Sequence, residues 1–257
     1  MIELKNIKKI YNPGTVSQMC LFDGFSLSVN DGEFVSVVGS NGSGKTSMLN
    51  IICGSIPMDG GSVLLDGVDI AKKKEFQRYR RIGRVYQDPA AGTCPHMTIL
   101  ENMSLADNKG KRFGLSLGVN RTGKERYREL LAGLGLGLEE KLDVKVGLLS
   151  GGQRQALALL MATMTPLDFL ILDEHTAALD PHTADTIMEL TDKIVKEQKL
   201  TAIMVTHNLR YAVEYGTRLI MMDKGGVILD RSGKEKDATT TESILDIFNK
   251  ISIECGN

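Results

Sequence analysis

One segment narrows the choice of fold more than any other. Phe34–Val38 is an apolar run, Gly39-Ser40-Asn41-Gly42-Ser43-Gly44-Lys45-Thr46 follows it, and Thr46–Cys53 reads as a helix closed by Gly54. The segment fits GxxxxGK[ST] at every fixed position and lies between a strand and a helix, where the pattern has a physical meaning. Glycines let backbone N–H groups turn inward as an anion nest, and the N-terminus of the next helix adds positive potential. Lys45 is long enough to reach β- and γ-phosphates, the Thr46 hydroxyl suits Mg²⁺, and Ser47 adds a phosphate contact. The expectation is a nucleoside-triphosphate site on an α/β fold.

The rest of the chain agrees. Ile2, Leu4 and Ile7 sit among polar residues, and Phe25–Val29 alternates, so the N-terminal stretch reads as strands. Asp31-Gly32 supplies a turn before Phe34, and Asp66-Gly67 joins a strand pair, 62–65 and 68–70. From about Pro89 to Ser150 the chain turns polar, with one amphipathic helix whose Tyr127, Leu130, Leu131 and Leu134 share a face. Helix, strand and helix then return as Arg154–Met164, Asp168–Asp173 and Thr183–Lys196, the last with Asp180 as N-cap and Pro181 at N1. Further strands are expected at Thr201–Thr206 and Leu219–Met222. Strands alternating with helices imply a mainly parallel sheet between helical layers.

Charge and cysteine usage exclude some functions. Lys and Arg (31) nearly balance Asp and Glu (32), and a net charge of −1 offers no basic footprint for nucleic acid. Cys20, Cys53, Cys94 and Cys255 form no CxxC pair and read as lone thiols of a reducing compartment. No cationic n-region followed by an apolar h-region opens the sequence, so no secretory leader is expected, and no apolar run approaches the ~18 residues that cross a bilayer. A membrane role therefore has to run through a partner.

Phe169-Leu170-Ile171-Leu172-Asp173-Glu174 ends an apolar strand in two carboxylates. In an open α/β sheet such a strand delivers its acids to the edge where ligands bind. Asp173 suits Mg²⁺, and Glu174 suits the attacking water as base or orienter. Leu149-Ser150-Gly151-Gly152-Gln153-Arg154-Gln155 then sharpens the reading, because it resembles the signature motif of the ATP-binding-cassette (ABC) family almost letter for letter. Ser150 has N-cap chemistry, and two glycines expose backbone amides at a helix start.

The resemblance runs from Ile2 to about Asp230 and implies a full set of roles. The fold it implies is a P-loop NTPase with a RecA-like α/β core (1–87 and 154–257). An N-terminal antiparallel β subdomain and an inserted α-helical subdomain (88–153) complete it. Gln87, after strand Gly83–Tyr86, looks like the Q-loop glutamine that senses Mg²⁺ and a permease. Ala178-Leu179-Asp180 resembles the D-loop, and His207 looks like the switch histidine on the γ-phosphate. Tyr11 sits where the family stacks a ring on adenine. Ser150, Gly151, Gly152 and Gln153 are implied to grip ATP held by the opposite subunit of a head-to-tail homodimer. Three departures stand out: Lys45-Thr46-Ser47 reverses the commoner Ser-Thr order, His175 replaces a usual proline, and the 12–22 loop is long.

The resemblance further implies an ATP- and Mg²⁺-dependent motor for a transporter whose permeases are separate membrane chains. Cytoplasmic placement on the inner membrane face is implied, with a substrate-binding protein as indirect partner. The stretch Gln87–Met103, through Pro89, Ala90, Ala91, Gly92, Met97 and Ile99, is expected to receive a permease helix. Asp-Glu-His-Thr-Ala-Ala-Leu-Asp and its surroundings look like a bacterial importer subgroup, some members of which are linked to tryptophan or tyrosine uptake. An ABC exporter ATPase and a soluble ABC ATPase remain alternatives. DNA-maintenance relatives need a long coiled coil between Lys45 and Asp173, and translation-factor relatives need two cassettes; neither feature is in this sequence.

Overall fold

The computed structural model describes residues 1–111, 118, 119 and 123–255, so the expected helical stretch 88–153 is described only in part. The chain forms two compact units, Met1–Tyr79 with Gln198–Asn257, and Arg80–Glu197. The first unit opens with β1 (Ile2–Tyr11), β2 (Met19–Val29), β3 (Phe34–Gly39), α1 (Lys45–Cys53), β4 (Gly60–Leu65), β5 (Val68–Asp69) and α2 (Glu75–Arg78). The second holds β6 (Ile82–Val85), α3 (Ile99–Asp107), α4 (Lys124–Ala132), α5 (Gly151–Thr163), β7 (Phe169–Asp173) and α6 (Pro181–Glu197). The chain then returns to the first unit with β8 (Ala202–Val205), α7 (Leu209–Glu214), β9 (Arg218–Asp223), β10 (Gly226–Ser232), α8 (Gly233–Asp237) and α9 (Thr241–Cys255).

In the first unit, one sheet is antiparallel in the order β2-β1-β4-β5. β1 holds the middle, pairing Ile2 with Val29 on one side and with Leu65 on the other. Its register shifts between Leu4 and Ile7, where Asn6 takes φ 51°. That shift turns Ile7 inward, and Ile2, Leu4 and Ile7 are all buried. Asp66 (φ 50°) and Gly67 (φ 75°) close the β4–β5 hairpin, the positive pair that a two-residue type I′ turn requires.

The other sheet of this unit is built on β3, which is buried along its whole length. It lies parallel to β8 through Val37↔Val205 and to β9 through Val37↔Ile220, and β10 flanks β9 antiparallel. Continuous apolar strands suit a sheet covered on both faces. On one side Val38, Leu219 and Met221 pack with Ala212 of α7 and Ile244 of α9.

In the second unit β6 and β7 pair in parallel, Ile82↔Phe169 to Val85↔Leu172. The contact with α5 is close: a Cβ on Gly83 would stand 2.7 Å from Leu167 Cδ1 and 3.0 Å from Ala162 O. α6 buries Ala184, Ile187, Met188, Thr191 and Val195, an amphipathic face at helical spacing. α4 buries Tyr127 and Leu131 as expected; Leu134 is buried past the helix end, and Leu130 is half-buried.

Several sequence-based bounds move. The strand expected at Gly83–Tyr86 is Ile82–Val85, the helix expected from Arg154 starts at Gly151, and the strand expected from Phe25 starts at Met19. The last of these shortens the long loop after Tyr11. α3 was not anticipated, although Thr98 and Glu101 form a capping box at its start.

Candidate functional site

The loop Gly39–Thr46 leaves β3 at the sheet's C-terminal edge and wraps the amine of Lys45. The lysine is 5% exposed, and Nζ donates to Gly39 O (2.8 Å) and Ser40 O (2.9 Å). Two glycines are fixed by space as much as by backbone freedom. A Cβ on Gly39 would meet Met222 O at 2.2 Å, and one on Gly44 (φ 103°) would meet the Phe22 ring at 2.8 Å. Ser40 Oγ donates to Asp223 Oδ1 (2.8 Å) at the end of β9, and Gly225 N donates to Ser43 O (3.0 Å). Sequence reasoning missed Asp223 and Phe22, because both reach the loop only through the fold.

Asn41, Gly42 and Thr46 are exposed on this edge. Gly44 caps α1 with no side-chain hydrogen bond, and its first turn carries no acid. A helix start so arranged lacks its own negative partner and suits an anion. Tyr11 and Ser47 meet through their hydroxyls (3.0 Å), and Lys9 Nζ lies 5.2 Å from the Tyr11 ring centroid. His207 is exposed just beyond β8, the parallel neighbour of β3, so it rises from the same sheet edge as the loop. Asn208 follows and caps α7 by accepting from Arg210 N (3.0 Å). These residues all belong to the first unit.

The carboxylates lie in the second. Arg84 of β6 is paired opposite Ile171 of β7, so its side chain shares a face with Asp173, two residues on. Arg84 Nη2 donates to Asp173 Oδ2 at 2.6 Å, with the two side chains only 6% and 13% exposed. The guanidinium also lies over the Tyr86 ring, 4.7 Å from its centroid. Arg84 was missed, yet a charge inside an apolar strand is itself a signal that a partner waits nearby.

Glu174 leaves the strand with φ 50°, and its carbonyl accepts from Ala177 N (2.9 Å) in a tight turn. His175 is buried, and Thr191 Oγ1 stands 3.1 Å from its Nε2. That hydroxyl donates to Ile187 O (2.7 Å), so it accepts from the histidine, which assigns the ring proton to Nε2. Burial pushes the His175 pKa down to about 4, keeping the ring neutral near pH 7.

Ser150 caps α5. Its Oγ accepts from Gln153 N (3.2 Å) while Gln153 Oε1 accepts from Ser150 N (3.4 Å), a reciprocal capping box. Gly152 is buried, and a Cβ there would stand 2.2 Å from Thr183 Cγ2. Ser150 and Gly151 are exposed. Gln87 is exposed two residues past β6. In the stretch after it, Pro89 and Ile99 are buried within the fold, so they are not open to a docked helix; Ala91 is exposed, and Ala90, Gly92 and Met97 are half-buried.

In the first unit Lys45 and the α1 terminus suit phosphate and Thr46 offers an oxygen donor; in the second unit Asp173 and Gln87 offer oxygen donors that suit a hard cation. Among the described residues no cluster of three or more His, Cys, Asp or Glu could hold a metal. Few protein carboxylates, with phosphate oxygens making up the shell, is how Mg²⁺ is commonly bound.

A family model described as ABC transporter matches residues 22–177. The chain belongs to the ABC transporter family. ABC cassettes are ATPases, and this chain is the ATP-binding, ATP-hydrolysing part of such a transporter. A tyrosine transport ATP-binding protein of Clostridioides difficile is 48% identical over 96% of this chain and 98% of its own length. A spermidine/putrescine import ATP-binding protein of Haemophilus influenzae is 34% identical over 91% of this chain and 59% of its own. Among solved structures, a dimeric ATP-binding cassette in a post-hydrolysis state with ADP and phosphate superposes with a TM-score of 0.76. It is 32% identical over 90% of this chain and 98% of that one. An ABC transporter cassette in its ADP conformation gives a TM-score of 0.79 at 27% identity, over 100% and 99%. The P-loop α/β fold is that of these cassettes. Among the described residues no helix is long and apolar enough to cross a membrane.

Proposed function

We propose that this ATPase drives uptake of an amino acid, tyrosine or tryptophan, through separate permease chains. The observation that carries the proposal is the end-to-end match, at 48% identity, with a protein described as a tyrosine transport ATP-binding protein. In this reading two copies close head to tail over two ATPs. Gly39–Ser47 of one copy holds the phosphates, Tyr11 takes the adenine, and Ser150–Gln153 of the other copy closes over the γ-phosphate. Thr46, Asp173 and Gln87 would hold Mg²⁺, which would supply charge neutralisation at the phosphate oxygens. Lys45 adds a fixed cation, Glu174 orients the attacking water and accepts its proton, and His207 and Gln87 complete the enclosure. Residues 88–153 act as the helical subdomain next to the permease, and the chain sits on the cytoplasmic face through that contact. A substrate-binding protein delivers the amino acid.

The test is ATPase measurement on the chain reconstituted with its permease and binding protein. Tyrosine or tryptophan should stimulate turnover, whereas spermidine and putrescine should not. Stimulation by a polyamine alone would redirect the substrate assignment.

A further inference from the structure

We propose that Arg84 is a counter-ion latch for Asp173: it neutralises the carboxylate while no metal is bound and gives it up when Mg²⁺ arrives with nucleotide. Arg84 thereby raises the Mg²⁺ concentration the protein needs. The proposal rests on the assignment of Asp173 to Mg²⁺ made above, and it adds a positioning residue to that site.

The geometry comes from register. Parallel pairing of Arg84 with Ile171 sends the guanidinium along the face that Asp173 occupies, and Nη2 takes Oδ2 at 2.6 Å. Both side chains are largely withdrawn from water, 6% and 13% exposed, so the pair is screened far less than one on the surface. The neighbouring strand residues Ile82, Gly83 and Val85 are buried and uncharged, so packing alone asks for no cation at this position. A metal at Asp173 must either displace the guanidinium or bind beside a like charge. Either way its apparent affinity falls with the fraction of molecules whose carboxylate is released.

Release does not strand the arginine. Its guanidinium already lies over the Tyr86 ring at 4.7 Å, a contact that survives loss of the carboxylate. Tyr86 is held in turn, since its carbonyl accepts from Gln155 Nε2 of α5 (3.0 Å). On release the guanidinium thus keeps its place over the ring of Tyr86, one residue before Gln87.

The test is Mn²⁺ titration of the full chain with a saturating non-hydrolysable ATP analogue, following free Mn²⁺ by electron paramagnetic resonance. Arg84→Met should tighten Mn²⁺ binding by about three- to tenfold, whereas Arg84→Lys, which keeps the charge, should stay near wild type. Without nucleotide or metal, Arg84→Met should melt at lower temperature, because it leaves Asp173 withdrawn from water with no counter-ion. Adding Asp173→Asn to that variant should restore much of the loss. If Arg84→Met does not fold, Arg84→Gln goes through the same titration with the same expectation. An unchanged or weaker Mn²⁺ midpoint in the uncharged variants overturns the latch alone. Wild-type protein that adds nothing to the Mn²⁺ bound by free nucleotide overturns the metal assignment, and the latch with it.

Discussion

Glu174 leaves β7 at φ 50°, a conformation a non-glycine residue adopts only where its surroundings over-determine it. If it prepares the water, Glu174→Gln should keep ATP binding and lower turnover by ~10²–10⁴-fold, read by a phosphate-release assay beside a nucleotide-binding titration. Lys45→Ala should act on binding itself, weakening nucleotide affinity by about tenfold or more, since it removes a buried charged donor from the phosphate loop. His175 makes a pH prediction. Its pKa falls to about 4 in the fold from an ordinary 6.5, so the unfolded chain binds the proton first as pH drops. The stability it contributes is full above pH 6.5 and is lost between 6.5 and 4, by up to about 3 kcal/mol. Chemical denaturation across that window should show wild type losing more than His175→Gln, and equal losses would mean the ring takes its proton without unfolding. At this scale the sequence was legible wherever chemistry is local. Lys45, Thr46, Asp173 and Glu174 are proposed from the motifs around them. Arg84 and Asp223 did not, because their partners are set by strand register.

Among the elements, α5 shows where propensity misleads. The sequence reading begins the helix at Arg154, although it also gives Ser150 N-cap chemistry, and glycines are weak helix formers. The Ser150–Gln153 capping box brings the start back to Gly151, and burial against α6 explains why Gly152 is tolerated. A methyl at position 152 would stand 2.2 Å from Thr183 Cγ2, so Gly152→Ala should push α5 off α6 and cost about 1–3 kcal/mol in urea unfolding. Thr183→Ser removes the offending methyl and should recover most of that loss. No recovery would place the cost elsewhere in α5. α4 is anchored differently: Tyr127 OH donates to Asp107 Oδ2 (3.1 Å) and Arg126 Nη1 to Oδ1 (2.9 Å). Burial pushes the Asp107 carboxyl up, but these hydrogen bonds outweigh it and hold the group below its ordinary range. The amphipathic face of α4 was readable from sequence, whereas its tie to α3 was not, since α3 itself was missed.

For the whole molecule, the fold class was legible because a phosphate loop, an apolar strand ending in acids and a signature-like helix start occur in a fixed order. Partners and cargo were not, since neither a transported solute nor a permease need leave its chemistry in this chain. Family membership supplies the ATPase, and the proposed dimer is the central mechanical claim, because in that proposal Ser150–Gln153 acts on ATP held by a facing copy. Size-exclusion chromatography with light scattering on Glu174→Gln measures it most directly. With ATP and Mg²⁺ the protein should run as a dimer of the 28.1 kDa chain, and it should revert to monomer without ATP or when Ser150→Arg is added. A Glu174→Gln protein that binds ATP yet stays monomeric at every concentration would contradict the composite site.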